Sequence, residues 1–335
     1  EFFGRPVVCV VNGTAALHLA LQAIGVGPGD EVLVQSLTYV ASFQAISATG
    51  AKPVACDVHP DSLCLDFKDA ERRLTPRTKA IMPVHYSGGV GDVKGIYAFA
   101  KKHDLRVVED AAHAFGSFFE GQKIGSFGDI ACFSFDGIKN ITSGEGGCIV
   151  TDDEATLNRI RDSRLLGVVK DTDNRYLGKR SWQFDVTAQG WRYHMSNLMA
   201  VIGSVQLSRF SEMSVKRQQL ATHYQNVLKD SASIKTIEMD YREVVPHIFV
   251  VLLDETIDRE LARTKLLEEK IETGVHYYPN HRHSFFEDKS EFPVTDSIEK
   301  RIMTLPLHPD LTLGDVNYVV KNLVRVVSEV RNSFV

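Results

Sequence analysis

The sequence has no apolar run of the roughly 18 residues that a membrane-spanning helix needs. It also lacks an excess of positive charge, because it contains 38 Lys and Arg against 43 Asp and Glu, a net charge of −5. Non-specific binding of nucleic acid depends on clustered positive charge, so this composition argues against it. We therefore expect neither a membrane nor a nucleic acid as a partner.

Cysteine is also scarce. The five cysteines are widely spaced and form no C-x-x-C pair; they are Cys9, Cys56, Cys64, Cys132 and Cys148. This pattern argues against a disulfide framework or a zinc site and favours a reducing cytoplasm. Residues 1–4 carry no signal-peptide pattern and no initiator Met. We expect the sequence to be a fragment that lacks a natural N-terminal segment.

The first half of the chain contains a regular alternation of strand-like and helix-like segments. Helical periodicity is found at 15–24, 39–48 and 93–103. The strand-like apolar runs lie at 6–11, 31–35, 52–57, 79–85, 105–110, 130–135 and 147–152. Such alternation predicts an α/β fold with a mostly parallel central sheet and helices on both faces. Ligands of such folds bind at the C-terminal ends of the strands.

The second half predicts a smaller α/β domain. A long helical stretch at 196–228 is followed by a strand-like run at 248–253, a charged helix at 259–273 and an amphipathic helix at 313–331. A chain of 335 residues with 44% hydrophobic content is long enough for two domains. We place a large domain at 1–210, and a linking helix with the small C-terminal domain at 211–335.

The first candidate site motif is N-G-T-A-A-L at 12–17, between a predicted strand and a predicted helix. Gly13 permits a tight turn, Thr14 adds a hydroxyl, and the start of a helix offers N–H groups to an anion. The motif suits one phosphate group. The alternative is an ordinary helix start at which Thr14 is the cap.

The second motif is V-V-E-D-A-A-H at 107–113, an apolar strand that ends in two acids and small residues. A carboxylate there can approach a flat ligand closely. Pyridoxal phosphate (PLP) needs such an acid, which keeps the pyridine nitrogen protonated so that the ring accepts electrons. Asp110 is the candidate acid, and His113 would lie over or beside the ring. The alternative is that Asp110 caps the next helix.

The third motif is C-F-S-F-D-G-I-K-N at 132–140, where Lys139 follows a strand in a short turn. Partial burial lowers the pKa of a lysine and so favours Schiff-base chemistry. Ser134 can donate a hydrogen bond to a phosphate. The alternative is a surface lysine in a turn. The phosphate motif, the acid and the lysine nevertheless occur in the chain order that a PLP site of this type requires.

Together these motifs resemble the DegT/DnrJ/EryC1/StrS family of nucleotide-sugar aminotransferases. The likeness rests on N-G-T-A-A-L at 12–17, E-D-A-A-H at 109–113 and S-F-x-x-x-K-N-x-T-x-G-E-G-G at 134–147. It continues in V-G-P-G-D-E-V at 26–32, in 190–207 and in G-V-H-Y-Y-P at 274–279, and thus covers nearly the whole chain. The resemblance implies a fold-type-I PLP enzyme that acts as a homodimer, with each active site completed by the partner chain.

The resemblance also implies a role for each matching residue. Lys139 looks like the lysine that carries PLP and moves the proton of the reaction. Asp110 looks like the partner of the pyridine nitrogen, and Tyr39 like the aromatic ring that stacks on the cofactor. His113, where the family often has Gln, would contact the ring or its 3′-oxygen side. The implied phosphate ligands are Thr14, Ala15 and Ser134, with Gly13 shaping the turn.

Arg192 departs from the family pattern. The family often has Asn at this position, which reaches the cofactor phosphate in the site of the partner subunit. An arginine can bind a phosphate more strongly by its charge, or it can bind a different substrate group. Both roles stay open for Arg192.

Four further residues are candidate substrate contacts, namely His85, Tyr86, His276 and Tyr277. The last two belong to a His- and Tyr-rich loop at 276–283, which in the family lies near the sugar-binding cleft. No carboxylate or Cys completes a regular metal-ligand spacing there, so we expect no metal. The alternative for all four residues is a packed polar loop or strand end without a ligand.

The resemblance implies transfer of an amino group, with glutamate as the expected donor, to a keto-sugar carried on a nucleotide. Such a reaction would serve amino-sugar formation for lipopolysaccharide, another surface polysaccharide or a glycoside. One alternative is a sugar dehydratase that uses the amine form of the cofactor (PMP). In relatives of that kind a His replaces the lysine, so Lys139 argues against it. The other alternative is a cofactor-binding regulatory or scaffold protein on the same fold.

Overall fold

The protein is built on a seven-stranded sheet, seen in a computed structural model that describes residues 1–169, 177–178 and 184–332. The first five strands in chain order are β1 (Val7–Val10), β2 (Glu31–Gln35), β3 (Lys52–Cys56), β4 (Thr78–Met82) and β5 (Arg106–Asp110). A separate hairpin of β6 (Phe118–Phe119) and β7 (Gln122–Lys123) follows, and β8 (Ile130–Ser134) and β9 (Gly147–Val150) complete the sheet. The order is β1-β9-β8-β5-β4-β2-β3.

The sheet is mostly parallel, as predicted. Strand β2 pairs in parallel with β3 and β4, β4 with β5, and β5 with β8. Strand β9 runs antiparallel to both of its neighbours, β8 and β1, so β1 has the same direction as the other five strands. The C-terminal ends of these six strands therefore lie along one edge, where the candidate motifs are found.

Helices cover both faces of the sheet, which confirms the predicted α/β architecture. The helices of this part are α1 (Gly13–Ala23), α2 (Val40–Ala48), α3 (Phe67–Arg72), α4 (Val93–Lys102) and α5 (Glu154–Ser163). Val32 and Val34 of β2 pack in the core that includes α1, α2 and α5. Leu33, between them, packs with Ile96 and Phe99 of α4 on the other face, because successive strand residues point to opposite sides.

A smaller α/β unit follows. It contains α6 (Asn197–Leu228), β10 (Ile234–Thr236), β11 (Phe249–Leu253), α7 (Arg259–Glu268), α8 (Pro293–Glu299), β12 (Ile302–Leu305) and α9 (Leu313–Asn332). Its three strands form an antiparallel sheet in the order β10-β11-β12. None of the helices formed by the described residues combines the length and apolar character needed to cross a membrane.

Helix α6 connects the two units. Phe210 packs in a core of the large unit, whereas Leu220 and Leu228 pack in the core of the small one. The predicted boundary between residues 210 and 211 therefore lies inside one continuous helix. The division of the chain into two domains at that point stays a prediction.

Several element boundaries differ from the sequence-based expectation. The charged helix predicted at 259–273 ends at Glu268, because Lys270 adopts a left-handed conformation with φ of 59°, which ends a helix. The sequence analysis predicted neither the β6–β7 hairpin nor β10, β12 and α8. These elements have only two to seven residues, which is too short for a periodic pattern to emerge.

Candidate active site

A cavity of about 410 Å³ lies at the C-terminal edge of the central sheet. It collects side chains from the start of α1, the start of α2, the ends of β5 and β8, and the loop around residue 276. Most of the residues selected from the sequence line it, namely Gly13, Thr14, Tyr39, Asp110, His113, Ser134, Lys139, His276 and Tyr277. Residues as far apart in the chain as Gly13 and Tyr277, which are separated by 264 positions, thus line one cavity.

The start of α1 and the end of β8 form a narrow cradle. A Cβ atom placed on Gly13 would lie 2.8 Å from the Cβ of Ser134 and 3.1 Å from its Oγ. We predicted that Gly13 is needed for a tight turn, but it has no left-handed φ. It is required instead for space beside Ser134. The cap of α1 is Asn12, whose Oδ1 accepts a 2.8 Å hydrogen bond from the Ala15 N–H. The hydroxyl of Thr14 is therefore not used as the cap.

Asp110 is a buried carboxylate at the end of β5. Its Oδ2 accepts a 2.7 Å hydrogen bond from the Ser42 hydroxyl, and its Oδ1 accepts one of 3.2 Å from the Ala112 N–H. The Thr38 hydroxyl lies 3.0 Å from Ser42 Oγ and extends the network. Both oxygens of Asp110 are thereby held in fixed positions on the cavity wall.

The sequence analysis did not single out Ser42 or Thr38. A signal for Ser42 was present, since it lies three residues after Tyr39 and hence about one helical turn away on the same side. Nothing local in the sequence links Ser42 to Asp110, which is 68 residues later in the chain.

Lys139 lies in the connection between β8 and β9. Its backbone N–H donates to the Asp136 carbonyl at 3.1 Å, which fixes the turn, and its side chain lines the cavity. Burial lowers the pKa of the Lys139 ammonium, while Asp110 and Asp136 partly oppose the change. An amine whose pKa is lowered by burial has a larger neutral fraction, which is the nucleophilic form. The geometry does not support the alternative of an exposed lysine.

The opposite side of the cavity is aromatic. Tyr39 precedes α2 and is 57% exposed at the mouth, with its ring centroid 5.6 Å from that of Tyr277. Tyr277 Oη lies 3.0 Å from His113 Nε2. His276 Nδ1 lies 2.8 Å from the Thr304 hydroxyl. Burial and the nearby Lys139 lower the pKa of His276 to about 4, so its ring is neutral at neutral pH.

The structure does not bring every selected residue to the cavity. His85 is buried with its Nε2 2.6 Å from Glu109 Oε2, and Tyr86 is buried with its hydroxyl donating to the His276 carbonyl. Neither lines the cavity, because both side chains pack behind its wall. The geometry therefore gives no support to His85 and Tyr86 as substrate contacts.

Ala15 and Arg192 also lie outside the cavity wall. Ala15 is buried inside the first turn of α1, and only its N–H is close to the cradle. Arg192 is exposed and forms an isolated β-bridge with Leu165. Across the described ranges, no group of three or more His, Cys, Asp or Glu side chains is arranged to hold a metal ion.

The residues of the cavity fit PLP. The cradle between Gly13 and Ser134, at a helix N-terminus, suits a phosphate group, and a buried carboxylate and a half-buried lysine line the same cavity. A mostly parallel sheet with this site at the C-terminal ends of its strands defines a PLP-dependent transferase of fold type I. More particularly, the DegT/DnrJ/EryC1/StrS aminotransferase family model matches residues 2–324, so the chain belongs to that family.

Individual relatives agree with this assignment. The chain is 38% identical to the spore coat polysaccharide biosynthesis protein SpsC of Bacillus subtilis over 332 residues, covering 96% of this chain and 85% of that protein. It is similar to the PMP form of Spr1654 from Streptococcus pneumoniae, which is assigned as a sugar aminotransferase, with 30% identity and a TM-score of 0.91 over 98% of this chain and 90% of that one.

A further solved relative is the aminotransferase TlmJ from Streptoalloteichus hindustanus. It is 31% identical, with a TM-score of 0.88 over 96% of this chain and 86% of that one. Spr1654 is also known in a PLP form. The predictions of the family, of an aminotransferase and of PLP or PMP as the cofactor are thereby confirmed.

Proposed function

We propose that this aminotransferase transfers an amino group from glutamate to a keto-sugar carried on a nucleotide, in amino-sugar formation for a surface polysaccharide or a glycoside. The observation that carries the proposal is Lys139, a half-buried lysine that lines the same cavity as Asp110. SpsC, a relative at 38% identity, is named for polysaccharide biosynthesis, and Spr1654 is assigned to sugars. Both support a sugar as the amino acceptor, and a reducing cytoplasm is the location that we propose.

The binding residues have separable tasks in this proposal. The first N–H groups of α1, apart from that of Ala15, which donates to Asn12, would bind the phosphate together with the hydroxyls of Thr14 and Ser134, since the first amides of a helix have no acceptor in its backbone. Asp110, held by Ser42, would keep a proton on the pyridine nitrogen. Tyr39 lines the cavity, where it would pack against the cofactor ring and limit the access of water.

Lys139 is the proposed proton-transfer residue of the protein. When bound, PLP would supply an electron-accepting ring and an aldehyde carbon that can carry the transferred amino group. The lowered pKa of Lys139 lets its Nζ accept a proton and return it without a large free-energy cost. His276 and Tyr277 line the same cavity and are the proposed contacts to the substrate.

The proposed function is tested by Lys139→Ala. Purified wild-type protein with PLP is expected to show the visible absorption band of the lysine-bound cofactor and to form a keto acid from glutamate. Lys139→Ala should lose the band and lower amine transfer to nucleotide keto-sugars by at least about a thousandfold, because the covalent and proton-transfer roles are both removed. The matched control is Lys94→Ala, an exposed lysine paired with Glu120.

Three outcomes would count against the proposal. Retention of the band and of turnover in Lys139→Ala would show that another group does the chemistry. Bound PLP without a half-reaction from any amino donor would favour the non-catalytic alternative. Turnover with a keto acid but with no nucleotide keto-sugar, read out by mass, would make the sugar assignment wrong.

We also propose a homodimer in which Arg192 contributes to the site of the partner subunit. Arg192 is exposed and lies outside the cavity of its own chain, so it is available to another chain. The first half of α6 exposes apolar side chains, with Leu198 at 80% and Val201 at 64%. Exposed apolar residues concentrated on one element mark an interaction surface.

A further inference from the structure

His113 has a hydrogen-bond partner on each ring nitrogen, and one of them fixes its tautomer. The backbone N–H of Ser87 lies 3.3 Å from Nδ1, and Tyr277 Oη lies 3.0 Å from Nε2. A backbone N–H can only donate, so Nδ1 has to accept and carries no proton. The single proton of a neutral His113 is therefore on Nε2 and is donated to Tyr277 Oη.

The surroundings of His113 keep the ring neutral. Its side chain is buried, and burial lowers its pKa well below the ordinary value, with Lys139 and His276 acting in the same direction. The ring of His247 lies 4.3 Å away, centroid to centroid. Neither nitrogen of His247 has a hydrogen-bond partner within the described part of the chain, so His247 does not compete for the proton on Nε2.

The hydroxyl of Tyr277 can consequently donate its hydrogen only toward the cavity. Burial raises the pKa of its hydroxyl, and the negative charge of Asp110 adds to the rise, so the group stays protonated. Its oxygen already accepts from His113, and no described residue accepts the hydroxyl hydrogen. Tyr277 lines the cavity together with Lys139, so the open direction is toward the ligand.

We infer that His113 acts as a positioning residue which makes Tyr277 an obligatory hydrogen-bond donor to an electron-rich oxygen of the bound ligand. The inference rests on the proposed function and refines it. Two oxygens share the required chemistry, the keto oxygen of the amino acceptor and the phenolic oxygen of the cofactor. Tyr277 lies beside the exposed Tyr39 at the mouth, which favours the keto oxygen of the acceptor.

The tautomer can be measured in the protein without substrate. In ¹⁵N NMR of histidine-labelled protein at pH 7, the His113 signal, assigned by its loss in His113→Gln, should show protonated Nε2 and unprotonated Nδ1. Protonated Nδ1 with unprotonated Nε2 would overturn the inference, because Tyr277 would then be free to donate its hydroxyl hydrogen to His113.

The role of Tyr277 is tested by Tyr277→Phe, which removes only the hydroxyl. We expect kcat/KM for the keto acceptor to fall by about tenfold or more, as for loss of a preorganised donor. His113→Leu should cause a similar loss, and His113→Gln should recover most of it, because an amide can accept from Ser87 and donate to Tyr277. The matched control is Tyr278→Phe, the neighbouring tyrosine, which does not line the cavity.

The source of the ligand oxygen follows from two further readings. If Tyr277 donates to the keto oxygen of the substrate, Tyr277→Phe raises the KM for the keto substrate. The absorption band of the cofactor and its pH titration then stay unchanged. If Tyr277 donates to the cofactor oxygen, the band shifts before any substrate is added. The inference is overturned if Tyr277→Phe changes neither reading, or if His113→Leu, with an unchanged circular dichroism spectrum, keeps full kcat/KM. A wild-type protein without the band would instead count against the proposed function.

Discussion

Three histidines around the cavity are neutral because they are buried. Burial is the largest cause of the lowered pKa of His113, His247 and His276, and Lys139 lowers all three further. In the unfolded chain each should titrate near its ordinary value of about 6.5. Below that pH the unfolded state binds more protons than the folded state. The stabilisation that these histidines give is therefore complete above about pH 6.5 and is lost as the pH falls below that value, for His276 through its folded-state pKa of about 4.

We predict that His247→Leu reduces the slope with which the free energy of unfolding falls at acid pH. Each such histidine contributes a slope of up to about 1.4 kcal/mol per pH unit in that window, and the variant removes one. The measurement is the free energy of unfolding in urea for the apo protein at several pH values between 7.5 and 5. His59→Gln, at an exposed histidine, should keep the wild-type slope. Equal slopes in His247→Leu and wild type would show that His247 is not neutral in the folded state.

Single residues of the site were predictable where their signal is local. Asp110 and Ser134 are the last residues of apolar strands, and Lys139 lies in the turn after Ser134. Such strand ends meet at one edge of a parallel sheet. Ser42 was not predictable, because its partner Asp110 is distant in sequence. His85 also follows a strand, but its ring turns away from the cavity toward Glu109, and no sequence pattern reports that direction.

The position of helix α1 relative to strand β8 limits the size of the residue at position 13. The start of α1 approaches the end of β8 so closely that any side chain on Gly13 would displace Ser134. We predict that Gly13→Ala weakens PLP binding at least about tenfold while the protein stays folded, since overpacking by one methyl costs about 1–3 kcal/mol.

Titration of the apo protein with PLP, followed by absorbance, measures this effect. Gly27→Ala is the matched control, because the nearest atom to its added Cβ would be the Thr49 carbonyl oxygen at 3.9 Å. Equal PLP affinities in the two variants would show that the cradle has room for a methyl group and that its closeness is unimportant.

How well a strand or helix can be predicted from the sequence depends on its burial and its length. Strands β2, β8 and β9 of the central sheet are buried on both faces and therefore appear as mainly apolar runs, as the run at 31–35 shows for β2. Short elements such as β10, with three residues, carry too few positions for a pattern. The end of α7 is set by the left-handed Lys270, a residue type that gives no such signal by itself.

The proposed homodimer makes a prediction for the whole molecule. Sedimentation should give about twice the chain mass of 37.3 kDa. Arg192→Ala should lower activity about tenfold without changing the mass, because a charged contact to the partner's site is lost.

Mixed dimers test whether the sites are shared. When Lys139→Ala and Arg192→Ala chains are unfolded together and refolded, one site of each mixed dimer has both native residues. Activity above the sum of the two separate variants is expected. Absence of such recovery, with mixed dimers present, would mean that Arg192 serves only its own chain.

The pairing of β1 with β9 determines when the site can come into existence during folding. Val7 lies opposite Val150, so the first strand of the chain finds its partner only after nearly half of the chain is available. Contacts that close such long loops form late and slowly. A nascent chain stalled before β9 already contains Asp110 and Lys139 but has no closed cradle between Gly13 and Ser134. Tight binding of the cofactor therefore indicates that the sheet is complete.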